Sequence, residues 1–412
     1  MVFAGFYGDD FTGSVDALLQ FRRAGLSGVL VTAPHLAVDQ DGTDVVGIAG
    51  TARSLPTDQM AAEVLPALQR LCELDARIIQ YKACSTADSA PHTGSIGRVL
   101  ELAVDLFPGL PVPIVFAQPD AGRYTLFSHH FARDDGTVYR LDRQPTMSQH
   151  PVTPVTESDL RLHFGAQTEL ELGAVHWPAY GDLPGLLTDQ TVAGVVCDAA
   201  NDQDLDLLAT AILTGAGQRF VIGSGGISGA LGRQAPVAHR LPPLTTTIAP
   251  AAGQTLVLNG SRSQLTRRQL DAAAAAGWLV LDLFATDTPE RVRTATGPGV
   301  VVDSVVGGRK VPSATIEEAL AAIGDSCLRS DPRLRLVLSG GDTSGNVLRR
   351  LGVDQLRIAA RPWGNVALCH ASGAALPQVE IVLKGGQMGH VSLFDDIRTG
   401  QPLPVDPWRL TC

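Results

Sequence analysis

The stretch Leu334–Leu351, LRLVLSGGDTSGNVLRRL, shows most directly how this chain folds. It opens with an apolar run typical of a buried strand, and a helix is expected from Asn346 onward. Between them lies Gly340–Gly345, a loop of small and polar residues. Such a loop suits an anion, because glycine lets a phosphate approach the free N–H groups at a helix start. Thr343 and Ser344 add hydroxyl donors, although an ordinary strand-to-helix turn capped by a hydroxyl gives the same pattern.

Two more glycine-bearing loops follow predicted strands in the same half of the chain. Asn259–Ser263 reads NGSRS and precedes a predicted helix over Ser263–Ala276. Lys384–Gly389 reads KGGQMG and follows the apolar run Val379–Leu383. Ligands of open α/β sheets bind at the carboxyl ends of the strands, so three such loops favour a shared nucleotide site over three idle turns.

Short apolar runs alternate with helical segments along the 412 residues, which predicts an α/β fold. The length indicates two domains, and each should hold a mostly parallel sheet flanked by helices. The first strand is expected at Val2–Tyr7 and the first helix at Thr12–Ala24. Pro236–Ala252, rich in proline and threonine, fits a linker between the domains. Phe127–Ser158 breaks the alternation and is expected to be irregular, either a flap over a substrate or a tolerated insertion.

Composition excludes several classes of function. The net charge of -10 argues against nucleic acid as the main partner. No run of about 18 uncharged apolar residues is present, so we expect no membrane span. The six cysteines form no C-x-x-C pair, and the amino terminus lacks the basic segment of a signal peptide. These features predict a cytoplasmic protein with reduced thiols and without a metal centre of its own.

The first half of the chain offers charged side chains at predicted strand ends. Asp9 and Asp10 end the first strand, where two carboxylates can accept hydrogen bonds from substrate hydroxyls or take up a proton. The alternative is a helix-capping aspartate beside a solvated one. Arg53 and Lys82 follow neighbouring strands, and cations there would suit a carboxylate ligand.

Two familiar nucleotide motifs are missing or incomplete. The chain contains no G-x-x-x-x-G-K-[ST], so it is not a P-loop enzyme. Gly223–Gly229, GSGGISG, approaches a dinucleotide-binding loop, but Ser228 takes the place of the third glycine and the loop lies far from the first strand. A nicotinamide-dependent oxidoreductase of small hydroxy acids and a non-catalytic two-lobed solute-binding protein remain as alternatives.

As a set, these residues resemble the four-carbon acid sugar kinase family. In the first half the resemblance rests on Asp9–Gly13 (DDFTG), Lys82–Ser89 (KACSTADS), Gly94–Gly97 (GSIG) and the pair Gly122–Arg123. In the second half it rests on Gly260–Ser263 with Thr266 and Gln269, on Gly340–Gly345, and on Lys384–Gly389. Arg262 stands where the family has cysteine. The matches follow the family's order over nearly the whole chain.

The resemblance implies a sugar-acid-binding domain over residues 1–240 and a nucleotide-binding domain over residues 253–412, with the active site in the cleft between them. It implies transfer of a phosphate from ATP, with Mg²⁺, to a hydroxyl of an acid such as threonate, erythronate or 3-oxo-tetronate, usually the terminal one. It leaves a homo-oligomer open. The implied ATP ligands are Ser261, Gly340, Gly341, Asp342, Thr343 and Gly386. The implied sugar-acid ligands are Asp9, Arg53, Lys82, Ser85, Asp88 and Arg123, with Asp10 as the catalytic residue.

Overall fold

The computed structural model describes residues 2–38, 42–215, 217–305 and 311–403. Its backbone divides into two compact units. Unit 1 comprises Met1–Gly28 and Ala33–Pro242, and unit 2 comprises Val29–Thr32 and Pro243–Cys412. A short segment from the first half of the chain therefore belongs to the second unit.

The strands and helices of the first half alternate along the chain. The strands are β1 (Ala4–Gly8), β2 (Gly28–Val31), β3 (Val45–Ala49), β4 (Ile78–Lys82), β5 (Val112–Val115), β6 (Arg123–Leu126), β7 (His129–Asp134), β8 (Thr137–Arg140), β9 (Leu172–Val175), β10 (Gly194–Cys197) and β11 (Phe220–Gly223). The helices are α1 (Phe11–Arg23), α2 (Met60–Glu73), α3 (Ile96–Leu106), α4 (Leu160–Gly165), α5 (Leu183–Leu186), α6 (Asp202–Thr214) and α7 (Gly225–Gln234).

The second half continues in the same way. Its strands are β12 (Thr255–Asn259), β13 (Leu279–Asp282), β14 (Val300–Asp303), β15 (Arg335–Ser339), β16 (Gln355–Trp363), β17 (Val366–Ser372) and β18 (Val379–Lys384). Its helices are α8 (Gln264–Ala275), α9 (Thr288–Thr294), α10 (Ser313–Ser330), α11 (Gly341–Arg350) and α12 (Leu393–Thr399).

The main sheet of unit 1 has the strand order β3-β1-β4-β11-β5-β10-β9, and its neighbouring strands are parallel. Gly8 pairs with Ala49 on one side and with Lys82 on the other, so β1, β3 and β4 end level with one another. All residues of these three strands are buried, as expected for a parallel sheet covered by helices on both faces. The predicted parallel α/β architecture is confirmed.

Helix α1 begins one residue earlier than predicted because Asp10 caps it. Oδ1 of Asp10 accepts a 2.7 Å hydrogen bond from the Gly13 N–H group, and helical geometry starts at Phe11. This cap places Asp9 and Asp10 at the carboxyl end of β1 and directly before a helix amino terminus. Asp10 therefore caps the helix, as the alternative interpretation of the aspartate pair expected. Its neighbour Asp9, however, is buried rather than solvated.

The first part of the segment predicted to be irregular forms an antiparallel sheet, so the prediction was wrong there, whereas residues 144–158 form neither helix nor strand. Strands β6, β7 and β8 pair in order over Arg123–Arg140. The tight turn between β6 and β7 places Phe127 and Ser128 at φ 49° and 66°, in the left-handed region that such side chains rarely adopt. Their N–H groups donate to the buried Asp198 carboxylate at 2.8 and 3.0 Å, which stabilises the turn.

The sheet of unit 2 combines parallel and antiparallel strands, in the order β13-β14-β12-β15-β18-β17-β16-β2. It is parallel from β13 to β18, and β17, β16 and β2 continue it antiparallel. One face packs on a core that includes Trp278, Val301, Val337, Trp363, Val382 and Phe394. Within the described ranges, no helix is both long enough and apolar enough to cross a membrane.

Candidate active site

The first group of charged residues lies at the carboxyl ends of β1 and β4 in unit 1. The Asp9 N–H group donates to the Lys82 carbonyl at 3.0 Å, and the Arg53 N–H group donates to the Asp9 carbonyl at 3.1 Å. These backbone bonds fix the three side chains beside one another. Asp9, Asp10 and Lys82 are only 1%, 4% and 2% exposed. The structure therefore brings together four of the residues that the sequence singled out.

Arg53 bridges the two carboxylates. Its Nη2 lies 2.7 Å from Asp9 Oδ1, and its Nη1 lies 2.9 Å from Asp10 Oδ2. Burial raises the pKa of Asp9 to about 6, Arg53 opposes that change, and the charge of Asp10 adds to it. Burial lowers the pKa of Arg53, but Asp10 and Asp9 outweigh it and hold that pKa well above its usual value. Arg53 is thus committed to neutralising this pair.

Gly13 keeps the space in front of Asp10 open. A Cβ there would lie 2.4 Å from Asp10 Oδ1 and 3.3 Å from Lys82 Nζ. Any larger residue would crowd both groups, so glycine leaves a carboxylate oxygen and an ammonium facing the same small volume.

Lys82 is held by a carboxylate that sequence reasoning missed. Its Nζ donates to the Ala83 carbonyl at 2.9 Å and lies 3.8 Å from Asp16 Oδ2. Gln118 Nε2 donates to the same Asp16 oxygen at 3.2 Å. In sequence, Asp16 is one acidic residue inside a helix, and only its distance from Lys82 in the fold reveals its place in the site.

Ser85 and Asp88 lie on the loop after β4, which distant residues hold in place. His130 Nε2 is 2.8 Å from the Ser85 carbonyl, and Thr153 Oγ1 donates to Asp88 Oδ1. His130 is fully buried, and that burial lowers its pKa to about 4. Its ring is therefore neutral at neutral pH and carries its proton on Nε2, because a carbonyl can only accept. Asp88 acts electrostatically on Arg53, which places this loop near the carboxylate pair.

Arg123 differs from Arg53 because part of its hydrogen-bonding capacity is unused. It follows Gly122, a residue in the left-handed region at φ 73°, and one of its terminal nitrogens donates to the Ala121 carbonyl. Its buried Nε has no hydrogen-bond partner, and no carboxylate in the described part of the chain comes within ion-pair distance. Burial lowers its pKa. A half-buried guanidinium whose Nε has no partner within the protein is a candidate to bind an anion.

The second group consists of three glycine-bearing loops of unit 2, which meet at the carboxyl ends of β12, β15 and β18. A Cβ at Gly260 would lie 2.4 Å from Thr343 Oγ1. A Cβ at Gly340 would lie 3.2 Å from the backbone nitrogen of Ser261, and a Cβ at Gly386 would lie 3.0 Å from the Ser261 Oγ. The loops contact one another closely: a side chain at Gly260 would force Thr343 to move, and side chains at Gly340 and Gly386 would be crowded.

The loop after β15 is much shorter than predicted. Helix α11 begins at Gly341 rather than at Asn346, and Gly340 alone makes the turn, with φ 122°. Thr343 and Ser344 therefore lie in the first helical turn. The first N–H groups of a helix lack intrahelical partners, so this start is better suited to bind an anion than a long loop would be. The Asp342 side chain lies outside the described part of the structure.

A cavity of about 370 Å³ opens beside these loops. It is lined by Gly260, Arg262, Val311, Ser313, Ile316 and Thr343. A lining that combines polar residues with the apolar Val311 and Ile316 would suit a ligand with a charged part and an apolar ring. Among the described residues, no group of three His, Cys, Asp or Glu side chains could hold a metal ion.

Comparison with known proteins assigns both halves. The family model described as Sugar-binding N-terminal domain matches residues 4–231, and the one described as Nucleotide-binding C-terminal domain matches residues 283–394. The chain is 35% identical to a 3-oxo-isoapionate kinase of Paraburkholderia graminis, covering 96% of this chain and 94% of that protein. It is 30% identical to a 3-oxo-tetronate kinase of Pseudomonas fluorescens, with 95% of each chain covered.

Solved structures share the fold. A crystal structure of a Salmonella typhimurium LT2 protein, provisionally named a tRNA synthase, superposes with a TM-score of 0.78 at 24% identity, covering 97% of this chain and 100% of that one. At that identity the likeness supports the fold alone. The two domain models and the full-length relatives show that this chain belongs to the four-carbon acid sugar kinase family.

Proposed function

We propose that this protein is an ATP-dependent kinase that phosphorylates the terminal hydroxyl group of a short-chain sugar acid. The leading candidates are 3-oxo-tetronate and 3-oxo-isoapionate, because these appear in the names of its relatives. Threonate and erythronate remain candidates of the same chemical class. The observation that carries the proposal is the meeting of three glycine-bearing loops in unit 2, on a chain whose unit 1 buries two carboxylates among cations.

The two halves divide the ligands in this proposal. Residues 1–240 bind the sugar acid, and residues 253–412 bind ATP. The last nine residues of the second range, 404–412, lie outside the described residues. The phosphates would be held by Ser261, Gly340, Gly341, Thr343 and Gly386, with Asp342 as a further predicted ligand. The cavity lined by Ile316 and Val311 would take the adenine ring.

Mg²⁺ fits this proposal as a partner of the nucleotide. It keeps several waters and takes phosphate oxygens, so it needs only one or two protein carboxylates rather than a cage of them. When bound with ATP it neutralises charge on the phosphates. The remaining contribution of the protein is to position the two reactants.

Arg123 and Lys82 are the cations proposed to receive the substrate carboxylate. Arg123 has an unpartnered buried nitrogen, and Lys82 faces the open volume at Gly13. Arg53 contributes indirectly, because its guanidinium holds Asp9 and Asp10 in place. Ser85 and Asp88, on a loop near these cations, would bind hydroxyl groups of the acid.

Asp10 is the proposed catalytic carboxylate. Its Oδ1 faces the volume over Gly13 that Lys82 Nζ also reaches, so a hydroxyl bound there could pass its proton to it. Asp9 lies behind Arg53 and is proposed to adjust the charge of the pair. Because phosphoryl transfer depends largely on positioning, Asp10 would also orient the attacking oxygen.

The glycine-rich segment that suggested an oxidoreductase is packed against other parts of the chain. Gly223–Gly229 starts α7 in unit 1, and the chain itself fills the space that its glycines create. A Cβ at Gly225 would lie 2.4 Å from Asp16 Oδ2, and one at Gly226 would lie 2.1 Å from the Ala117 carbonyl oxygen. These glycines allow close packing, and the relatives found are kinases.

The test is a screen of 3-oxo-tetronate, 3-oxo-isoapionate, threonate and erythronate for acid-dependent ADP release from Mg-ATP. We expect turnover with at least one of them. Absence of turnover with all four acids, together with tight binding of a nicotinamide cofactor, would refute the proposed function.

A further inference from the structure

Lys384 is a buried lysine to which no described carboxylate provides a counter-charge. It ends β18 and is 0% exposed. Its Nζ donates to Thr266 Oγ1 at 2.8 Å, in the first turn of α8, and no carboxylate of the described ranges lies within ion-pair distance. Lysine is almost never fully buried without a paired charge, and the amino end of a helix disfavours a cation. An anion held at this helix start would resolve both problems.

The hydrogen bonds around Lys384 form a chain with a defined direction. An ammonium group can only donate, so Thr266 Oγ1 accepts from it and must use its own proton elsewhere. Two acceptors lie within reach of the Thr266 proton, Ser261 Oγ at 3.1 Å and the Gly386 carbonyl at 3.3 Å. The carbonyl already accepts from Ser263 Oγ, so the shorter bond to Ser261 is the one that the inference below uses. The Ser263 N–H group donates to the same Ser261 oxygen at 3.3 Å.

This arrangement determines what Ser261 can do. When Thr266 donates to it, the Ser261 oxygen accepts two hydrogen bonds, and its own proton is left to be donated to a ligand. Ser261 is 7% exposed and lies between Gly260 and Arg262, which both line the cavity of unit 2. A hydroxyl whose proton points outward is a donor suited to a phosphate oxygen.

We infer that Lys384 is a positioning residue for nucleotide binding, which acts through Thr266 to make the Ser261 hydroxyl an obligate donor to a nucleotide phosphate. This inference rests on the proposed nucleotide site. An uncharged amine at Lys384 has a lone pair and can accept the Thr266 proton, which allows the chain to reverse. The Ser261 hydroxyl would then donate inward to Thr266 and present lone pairs to the ligand, which repels phosphate.

The charge on Lys384 is therefore linked to nucleotide affinity. Burial lowers its pKa to about 7, and the nearby positive charge of Arg267 on α8 contributes. Arg267 is itself paired with Asp303 at the end of β14, at 2.7 Å, and His390 in the loop after β18 is paired with Asp396. Since only the protonated amine fixes the direction of the donor chain, nucleotide binding should take up a proton at Lys384 near neutral pH.

The first experiment measures the affinity for an ATP analogue, without sugar acid, in Ser261→Ala, Thr266→Val and the double variant. Each single change should weaken binding by about 2- to 12-fold, the range for one neutral hydrogen bond. The double variant should bind no more weakly than the weaker single one, because both changes interrupt one chain. Fully multiplicative losses would show that Thr266 and Ser261 act independently, which would overturn the inference.

The second experiment follows this affinity from pH 6 to pH 9 in the parent chain and in Lys384→Met. The parent should bind progressively more weakly as the pH rises through about 7, the pKa of Lys384. Lys384→Met should bind weakly at every pH and lose this dependence, while the titration of the nucleotide itself is common to both. The control is Arg333→Met, which removes an exposed cation of unit 2 that is paired with Asp331 at 2.9 Å, and it should keep the parental profile.

A merely structural lysine would lower thermal stability and affinity but leave the shape of the pH profile unchanged, and that result would refute the role of Lys384. If Lys384→Met does not fold, the inference can still be tested on the parent chain. Calorimetry of nucleotide binding in buffers of different ionisation enthalpy measures proton uptake, and no uptake would contradict the inference. A parent chain that binds no nucleotide at all would instead refute the proposed function.

Discussion

Arg53 donates to Asp9 through two nitrogens, Nη2 at 2.7 Å and Nε at 3.3 Å, and so fixes one carboxylate of the pair. Its third nitrogen holds the other carboxylate, Asp10, at 2.9 Å. Sequence reasoning treated Arg53 and Lys82 as equivalent cations for the substrate. The geometry distinguishes them, because the guanidinium of Arg53 is already used inside the protein.

Arg53→Ala and Arg123→Ala should therefore have different effects. Loss of Arg53 leaves two buried carboxylates without their partner and should destabilise the fold by about 3 to 5 kcal/mol. Loss of Arg123 should leave the melting temperature nearly unchanged. It should weaken binding of the sugar acid by about 1.5 to 3 kcal/mol, which is a roughly ten- to hundred-fold loss of affinity. Thermal melts and titrations of the acid at saturating ATP analogue measure both effects.

The control for these variants is Arg140→Ala, which removes an exposed arginine paired with Asp142 on the small antiparallel sheet. It should change neither quantity by much, because exposed ion pairs contribute little. If Arg123→Ala binds the acid as tightly as this control does, Arg123 is not the carboxylate ligand.

Asp10→Asn should lower kcat by a factor on the order of 10² to 10⁴ while acid binding changes little, because the amide keeps the shape and loses the basic oxygen. The check is steady-state kinetics beside direct titration of the acid. A kcat within a few-fold of the parent would reduce Asp10 to a helix cap.

The dependence of the parent's activity on pH should follow the ionisation of Asp9. Its raised pKa means that it is protonated below about 6 and charged above, so activity should rise with pH through about 6 as Arg53 regains its partner. Asp9→Asn should lose this rise, and Asp10→Asn should move it to lower pH, because one charge that raises the Asp9 pKa is gone. An unchanged rise in Asp9→Asn would assign it to another group.

Gly341→Val should abolish binding of an ATP analogue in a folded protein. The residue begins α11, and a branched side chain there would occupy the space in which a phosphate meets the N–H groups. Gly297→Val is a control in the same unit, since a Cβ there would come no closer than 3.4 Å, to the Gly277 carbonyl oxygen. Calorimetry showing parental affinity in Gly341→Val would mean that this turn does not bind the nucleotide.

His130 should make the fold sensitive to acid. Its folded pKa of about 4 is below its usual value of 6.5, so it adds stability that is fully present above about pH 6.5 and is lost as the pH falls toward 4. The loss attributable to this residue should be roughly 3 kcal/mol. Urea unfolding of the parent and of His130→Gln between pH 4 and pH 7 measures it, and equal pH dependence in both would contradict the assignment.

Sequence patterns predicted two mostly parallel sheets, because continuous apolar runs followed by helical spacing leave few other arrangements. They could not predict the turn at Phe127 and Ser128, since Asp198, which stabilises it, is about seventy residues away in sequence. For the same reason Asp16 was missed beside Lys82. The start of α11 was misplaced because glycine-rich sequence resembles a loop, although one glycine with positive φ is enough for the turn.

Several expectations stay predictions. The location of the active site in a cleft, the cytoplasmic location, the homo-oligomer and the roles of individual site residues were inferred from sequence or resemblance. The family and the α/β fold are established by the domain matches and by the strand order.

The measurement that tests the central claim most directly is the stoichiometric conversion of Mg-ATP and 3-oxo-tetronate or 3-oxo-isoapionate by the purified protein. ADP is quantified beside the product, whose phosphate position is read by phosphorus NMR. We predict one phosphorylated acid for each ADP, with the phosphate as an ester on the terminal hydroxyl. ADP release without a phosphorylated acid, or no acid-dependent release at all, would contradict the account.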